Sequence, residues 1–269
     1  MPSISTLAFA AVVTAFALGH IAVFVLGADR GVVADLLALT YSTMLPIGCG
    51  APLLDGGAWR MRLGAVATTF VAMSAITHLT WEAGWLVFRE AIAASPTAPW
   101  AYSWWAYIDG GDTRYAQPDN TLLVVMEGLS VCNGVLGASA LGLYASGGRY
   151  APLGVLGMMA MAVVHLYSVA LYYATELIDG LPSVGDSVFD LGFKFILANA
   201  PWLVFPPVVI VWGIGNPSLS PIAVADRSRL CSAAAALNGV IIIAIDSPLV
   251  TSNCINCINC ANCSGKLRQ

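Results

Sequence analysis

Six apolar stretches, each about long enough to cross a bilayer, dominate this sequence and limit what it can fold into. A membrane-spanning helix needs roughly 20 mostly apolar residues. Only 10% of the 269 residues are charged, whereas a soluble domain usually has about a quarter. A chain this apolar could not cover its surface in water. In lipid its side chains can face the acyl tails, and its helices satisfy their own backbone groups. The sequence therefore predicts an all-α integral membrane protein.

The predicted spans are, in chain order, 5–27, 32–53, 63–88, 121–145, 152–175 and 191–214. The second is the weakest candidate, because Asp35 and Pro46 interrupt it. The first could also be a secretory signal peptide, but it lacks a basic start and its apolar run exceeds the usual 7–15 residues. We therefore predict that it is retained as a membrane helix.

The charges in the connections predict an orientation. If all six stretches span, one side carries Arg60, Arg62, Arg149, Arg227 and Arg229. The opposite side holds two connections rich in aspartate, 89–120 and 177–190. The positive-inside rule then places the arginine side, and with it the C-terminus, in the cytoplasm. The connection 89–120 is also rich in tryptophan and tyrosine, which suits either an interfacial aromatic belt or a lid over a site.

Ionisable residues inside the spans are the strongest sign of function, because a charge at bilayer depth costs at least a few kcal/mol. His78 and Glu82 are four residues apart, so they share a helix face and can share a proton, unless both are solvated at the membrane surface. Glu82 lies about six residues from the end of its predicted span, a depth of roughly 9 Å. Glu127 lies about two turns into its span, with Ser130 on nearly the same face. It could be a general acid or a polar clamp between helices.

Two further spans bring polar groups to one face each. His165, Tyr172 and Glu176 follow a helical spacing. His165 alone suits a packed or hydrogen-bonded histidine better than a catalyst, and Glu176 could be interfacial. Asn199 and Trp202 are one turn apart. Asn199 could serve the helix break at the neighbouring proline, and Trp202 could be core or could stabilise a cation.

This polar set suits proton transfer on an apolar substrate, or binding of an amphipathic amine. Both need carboxylates in a dry, aromatic-lined cavity. The pattern of one histidine and one glutamate four residues apart is a weak zinc signal without two further ligands. We therefore expect neither a metal nor a cofactor. No basic run exists to neutralise phosphates, so we expect no nucleic acid.

Four cysteines stand at every third position near the end of the sequence: Cys254, Cys257, Cys260 and Cys263. The spacing superficially resembles a ferredoxin run, but the last interval differs and the following proline is missing. We interpret 216–269 as a poorly ordered, low-complexity tail. It would follow an N-terminal membrane segment, 1–30, and a membrane domain, 31–215.

Five ordered motifs between about residues 60 and 214 carry a resemblance to a known family. They are HLTWEAGW (78–85), GDTRYAQPDN (111–120), MEGLS (126–130), LYYATELIDG (171–180) and ANAPWLVFP (198–206). In them the chain resembles the emopamil-binding protein family, the sterol Δ8–Δ7 isomerases of the wider EXPERA group, more than the sigma-2 receptor-like branch. The resemblance implies a five-helix membrane bundle with a cavity open to the bilayer. The stretch 5–27 would be an extra N-terminal transmembrane helix.

The resemblance also implies which residues form the site. It makes His78, Glu82 and Glu127 catalytic. For substrate binding it points to Ser130, where the isomerases usually have threonine, to the pair Asn199 and Trp202, and to Tyr115, Tyr172 and Glu176 in the matched motifs. The chain departs from the family pattern in three places. Ala83 is inserted after the motif glutamate, Gly128 replaces a threonine, and Pro201 replaces an aliphatic residue.

The function that the resemblance implies is an intramembrane isomerase that moves the 8,9 double bond of a sterol to the 7,8 position. His78 and Glu82 would transfer protons, and Glu127 would stabilise the cation and share the proton relay. Asn199 and Ser130 would position the carboxylates by hydrogen bonds. Expected partners are a sterol or related lipid, cationic amphiphilic amines as inhibitors, membrane lipid and a second copy in a homodimer. The expected location is the endoplasmic reticulum. An isomerase of another terpenoid or triterpenoid and a non-catalytic sterol or amine binder are alternatives.

Overall fold

The computed structural model describes residues 3–219, and every regular element in that part of the chain is helical. The α-helices are α1 (Ile4–Phe24), α2 (Arg30–Gly50), α3 (Trp59–Thr77), α4 (Ala83–Ala93), α5 (Tyr102–Ile108), α6 (Thr121–Ala145), α7 (Ala151–Ile178) and α8 (Pro201–Ile214). Two π-helical segments are His78–Glu82 and Asp190–Leu197, and short 3-10 turns are Ala51–Leu54, Pro99–Ala101, Thr113–Ala116, Gly148–Tyr150 and Pro217–Leu219. Six continuous stretches of helix in 3–219 are long and apolar enough to cross a membrane. The predicted all-α membrane fold and its six spans are thereby confirmed.

The third and fifth spans exceed their predicted apolar windows by the most residues. The third runs over Trp59–Ala93 and the fifth over Gly148–Ile178. Their ends take in arginines, whose long stems can lie along apolar surface while the charged head reaches water. Arg62, for example, donates to a carbonyl oxygen in the preceding turn at 3.0 Å. The helix therefore continues eleven positions beyond Glu82 rather than about six, and the depth of Glu82 in the bilayer stays a prediction.

The core lies among α2, α3, α6, α7 and α8. Fully buried side chains from three of these helices meet there, including Phe70, Met158 and Val209. Helix α1 packs along α2 outside this core, and its fully buried residues are Ala8 and Gly19 alone. It is thus peripheral, as an additional N-terminal helix should be.

The connections on the aspartate-rich side meet one another. The backbone N–H of Thr113 donates to the carbonyl of Ser183 at 2.9 Å, which joins the connection after α4 to the one after α7. The Tyr102 hydroxyl donates to the carbonyl of Arg30 at 3.0 Å and ties in the start of α2. These contacts place three connections at the same end of the bundle, as the predicted alternation of six spans requires.

A π turn interrupts the third span at the position where the family resemblance implies an inserted residue, Ala83. The backbone N–H of Ala83 donates to the carbonyl of His78, five residues earlier, instead of the four of an α-helix. A π turn holds one residue more than an α turn and often lies at a functional site. The insertion is therefore absorbed locally, between α3 and α4.

The predicted tail lies almost wholly outside the described residues, as do its four cysteines, Arg227 and Arg229. Of 216–269, the structure describes the first four residues, which include the short turn Pro217–Leu219. The division into 1–30, 31–215 and 216–269 stays a prediction.

Candidate active site

A mostly apolar cavity of about 430 Å³ lies inside the bundle. That volume falls within the range of roughly 300–1,000 Å³ typical of small-molecule sites. Its wall takes residues from α1, α2, α3, α5, α6, α7 and α8, from both π segments and from the 3-10 turn Thr113–Ala116. At one edge the lining includes Val13, 71% exposed, and Ile76, 65% exposed. These exposed lining residues on α1 and α3 indicate a sideways opening of the cavity toward the outer surface of the helices.

His78 and Glu82 face each other on this wall. The π turn places His78 Nδ1 3.0 Å from Glu82 Oε1, and both side chains are buried. The second carboxyl oxygen, Oε2, is also buried and has no hydrogen-bond partner among residues 3–219. His78 and Glu82 thus share one helix face, as predicted. The unpartnered Oε2 of Glu82 can accept a hydrogen bond from a ligand.

Glu127 reaches the same cavity from α6. It accepts a hydrogen bond from the hydroxyl of Tyr115, and its Oε2 is likewise buried without a partner in the described chain. Tyr115 lies in the 3-10 turn after α5. Burial, and next the nearby charge of Glu127, raise the pKa of Tyr115 well above its usual value. The phenol therefore keeps its proton and remains a donor to this carboxylate.

A serine that the sequence analysis did not single out joins the histidines to the tryptophan. The Trp202 indole donates to Ser74 Oγ at 2.9 Å. The same oxygen lies 3.1 Å from His78 Nε2 and 2.9 Å from His165 Nε2. His165 is hydrogen-bonded, as predicted, but it also lines the cavity beside His78, with ring centroids 5.0 Å apart.

A second set of hydrogen bonds lies where α5 meets α7. The Tyr172 hydroxyl donates to Asp112 at 2.7 Å, so it accepts from the Tyr107 hydroxyl, also at 2.7 Å. Asn199 Nδ2 lies 3.2 Å from the same Tyr107 oxygen and donates to the Phe195 carbonyl at 2.7 Å. Asn199 thus lines the cavity and serves the helix break before α8. It contacts neither carboxylate, so the predicted positioning of a carboxylate by Asn199 was wrong.

Two other predicted residues take different places. Ser130 lines the cavity, but its hydroxyl has no hydrogen bond to any residue in 3–219, and the expected bond to a carboxylate is absent there. Glu176 lies behind the wall rather than on it. Arg114 holds its carboxylate at 3.0 Å, and the Ser183 backbone N–H donates to it at 3.3 Å. It supports the connections and is not among the lining residues.

Lys194 is a buried cation in the second π segment. Its ammonium lies 2.8 Å from Asp35, 2.8 Å from Asp190 and 2.8 Å from the Asp109 carbonyl. These three acceptors use all three of its N–H donors. The side chain therefore joins α2, the second π segment and the end of α5 at one margin of the cavity.

Comparisons with known proteins show which family and which proteins this chain is similar to. The family model described as EXPERA (EXPanded EBP superfamily) matches residues 99–213. The 3-beta-hydroxysteroid-Delta(8),Delta(7)-isomerase of Rattus norvegicus is 29% identical over 147 residues, 54% of this chain and 61% of the rat protein. The Mus musculus protein of the same name is 27% identical over 195 residues, 71% of this chain and 76% of that protein. Protoglabretal synthase of Ailanthus altissima is 30% identical over 144 residues, 52% and 62% of the two chains.

The matches to the rat and Ailanthus proteins cover less than two thirds of those proteins. The family match contains Tyr115, Glu127, Asn199 and Trp202, and it begins after the π turn that carries the histidine–glutamate pair. Over the matched region this chain is similar to the EXPERA superfamily, and the helical fold with its six candidate spans is consistent with that similarity.

Proposed function

We propose that this chain is an intramembrane sterol isomerase that moves the 8,9 double bond to the 7,8 position. The observation that carries the proposal is the pair of buried carboxyl groups, Glu82 and Glu127, on one apolar cavity. Each keeps one oxygen without a partner in the described chain. His78 and Trp202 line the same space. The names of the rat and mouse relatives agree with this reaction.

The reaction needs one proton donor and one proton acceptor. A proton is added to carbon 9 of the 8,9 double bond, which leaves a tertiary cation at carbon 8. A base then removes a proton from carbon 7, and the 7,8 double bond forms without net loss or gain of atoms. The donor and acceptor come from the His78–Glu82 pair and Glu127. Because closely spaced groups titrate as a unit, we assign the two roles to the set rather than to single residues.

The cation at carbon 8 needs stabilisation while it exists. A carboxylate attracts it strongly where water is excluded, and an indole face adds a cation–π interaction. Glu127 and Trp202 both line the cavity and can supply these two contributions. The same pair would bind cationic amphiphilic amines, which we expect to act as inhibitors.

The membrane and orientation follow from the same proposal. Sterol synthesis suggests the endoplasmic reticulum, with the arginine-bearing connections and the C-terminus on the cytoplasmic side. A homodimer remains a proposed state of assembly.

Expression in a yeast strain that lacks its sterol isomerase tests the activity. We expect Δ8 sterols to be converted to Δ7 sterols, with deuterium incorporated from heavy water at carbon 9. Glu82→Gln and Glu127→Gln should each lower the rate about 10²- to 10⁴-fold, the usual contribution of acid–base catalysis. Glu90→Gln, an exposed glutamate in α4, is the matched control and should leave the rate unchanged.

A folded, membrane-inserted protein that converts no Δ8 sterol would contradict the proposal. So would full activity in both glutamine variants. Amine binding that depends on Glu127, without any deuterium incorporation, would identify a non-catalytic binder instead.

One observation favours a second candidate, an isomerase that acts on a different terpenoid skeleton. Val12, Val13 and Phe16 of α1 form part of the cavity wall, so the additional helix shapes the space offered to the substrate. A relative of similar identity is named protoglabretal synthase. Lipid profiles of cells with and without the gene separate the two candidates. Accumulated Δ8 sterol in the deficient cells supports the sterol reaction, and accumulation of another terpenoid supports the second.

A further inference from the structure

Three hydrogen bonds from three different residues converge on one buried oxygen, Ser74 Oγ. We infer that Ser74 and His165 are positioning residues that fix the proton of neutral His78 on Nδ1, the nitrogen facing Glu82. Their importance for turnover rests on the proposed function, whereas the proton positions can be measured without it. Ser74 is fully buried and His165 is 2% exposed, so water does not compete for these bonds.

The count of available protons constrains this cluster. An indole N–H can only donate, whereas a serine hydroxyl has one hydrogen and two lone pairs. The Trp202 indole fills one lone pair of Ser74 Oγ at 2.9 Å. The single hydroxyl hydrogen can then reach only one of the two histidine Nε2 atoms, and the other histidine must donate its own Nε2–H. One of the two histidines therefore carries a proton on Nε2, and the other does not.

Glu82 decides which of the two histidines donates. When Glu82 is ionised its carboxylate can only accept, and Oε1 lies 3.0 Å from His78 Nδ1. Neutral His78 thus carries its proton on Nδ1 and accepts the Ser74 hydroxyl at Nε2. His165 is left to donate from Nε2 to Ser74, at 2.9 Å. The Phe70 ring packs against the His165 ring in an edge arrangement, with ring centroids 5.6 Å apart, and helps to hold it in place.

This arrangement links the two histidines through one hydroxyl. If His78 gains a second proton, its Nε2 becomes a donor toward Ser74. The Ser74 hydroxyl must then turn to His165, which can accept only if its own proton has moved to Nδ1. A change in the protonation of His78 therefore requires a tautomer change at His165, a residue on another helix.

Nitrogen NMR of the full chain with ¹⁵N-labelled histidine rings tests the proton positions. The sequence has three histidines, so His20→Gln and His165→Gln complete the assignment. His20 bonds the Phe16 carbonyl at 2.8 Å, apart from the cluster, and serves as the internal reference. At neutral pH we expect protonated Nδ1 in His78 and protonated Nε2 in His165. Ser74→Ala should remove the fixed tautomer of His165 and leave His20 unchanged.

Protonated Nε2 on both histidines in the wild type would overturn the inference. So would identical histidine spectra in the wild type and in Ser74→Ala. Because these spectra need no turnover, they remain decisive even for a protein that isomerises no sterol. A correct tautomer without isomerase activity would count against the proposed function alone.

Turnover by histidine variants gives a second readout. A glutamine amide can still donate to Ser74, whereas leucine cannot. We expect His165→Leu to lower kcat about 10- to 100-fold, less than the loss of an acid or base itself, with little change in KM. His165→Gln should recover most of that loss, and His20→Gln should match the wild type. Equal activity of the leucine and glutamine variants, with both folded, would contradict the positioning role.

Discussion

At the residue scale, each of the two cavity carboxyls is only half satisfied. Glu82 is paired through one oxygen with His78, from its own helix, and Glu127 through one oxygen with Tyr115, from a distant connection. A buried polar atom without a partner normally costs about 1–3 kcal/mol. These unpartnered carboxyl oxygens lower the stability of the folded chain, and they can instead interact with a ligand group that develops positive charge.

Tyr115→Phe tests the support given to Glu127. A hydrogen bond to a charged group contributes about 1.5–3 kcal/mol, so we expect the rate to fall about 10- to 100-fold. Burial raises the pKa of Tyr115, so the wild-type rate should show no tyrosine ionisation up to about pH 10. Tyr102→Phe is the control, since that hydroxyl donates to the Arg30 carbonyl away from the cavity. Rates from steady-state assays that fall equally in both variants would refute the role of Tyr115.

The sequence predicted the contacts of the site that join residues of one helix, because these follow from helical spacing. The separation of four residues between His78 and Glu82 predicted their contact correctly. Ser74 stands four residues before His78 and could have been found by the same rule. Hydroxyls inside helices commonly bond their own backbone, however, and Thr77 and Thr80 of the same span do so. Nothing local distinguishes Ser74 from them, because its partner Trp202 comes from the other end of the chain.

At the element scale, the π turn in the third span sets the positions of His78 and Glu82 on the cavity wall. The apolar length of residues 63–88 predicted a continuous helix there, and the one sign of a departure was the extra Ala83 relative to the family pattern. A π turn with its additional residue returns the helix to nearly the register that an α turn would give without it. The helix α4 can thus keep its contacts, such as the Trp85 indole donating to the Tyr115 carbonyl at 3.0 Å.

Deleting Ala83 tests whether the turn absorbs the insertion. We expect the shortened chain to fold, because the turn becomes α-helical and the register of α4 is retained. Deleting Val87, within α4, is the matched control. It rotates the following residues by about 100° and removes the bond from Arg89 to the Pro118 carbonyl, 3.1 Å in the intact chain. Thermal unfolding in detergent compares the two. Equal destabilisation by both deletions would show that the π turn has no such role.

At the scale of the whole molecule, the cavity lies among all six spans and next to the joined connections. Tyr107 and Tyr115 of the connection 89–120 line it, which makes that connection part of the site and not only an interfacial belt. Sequence reasoning predicted the number of spans and the alternation of their connections, because both follow from apolar length and charge. It could not predict that α1 lines the cavity. Side chains that face lipid and side chains that face an apolar cavity are of the same apolar residue types, so the sequence does not distinguish them.

The role of α1 at the opening of the cavity leads to a prediction about entry from the bilayer. Val13 lies on the lining and Leu18 does not, although both are exposed, 71% and 58% respectively. Val13→Trp should narrow the opening between α1 and α3 and lower kcat/KM for a membrane-borne sterol several-fold. Leu18→Trp adds the same bulk to the same helix outside the opening and should have no effect.

Single-turnover measurements separate entry from chemistry in these variants. With substrate already bound, the Val13→Trp protein should react at the wild-type rate if the substitution affects entry alone. A slowed chemical step would mean that α1 shapes the reacting end of the cavity instead of its opening. Equal kcat/KM in the two tryptophan variants would mean that substrate does not pass α1. Because the sideways opening is the part of the cavity that α1 borders, this comparison decides whether the additional helix controls access.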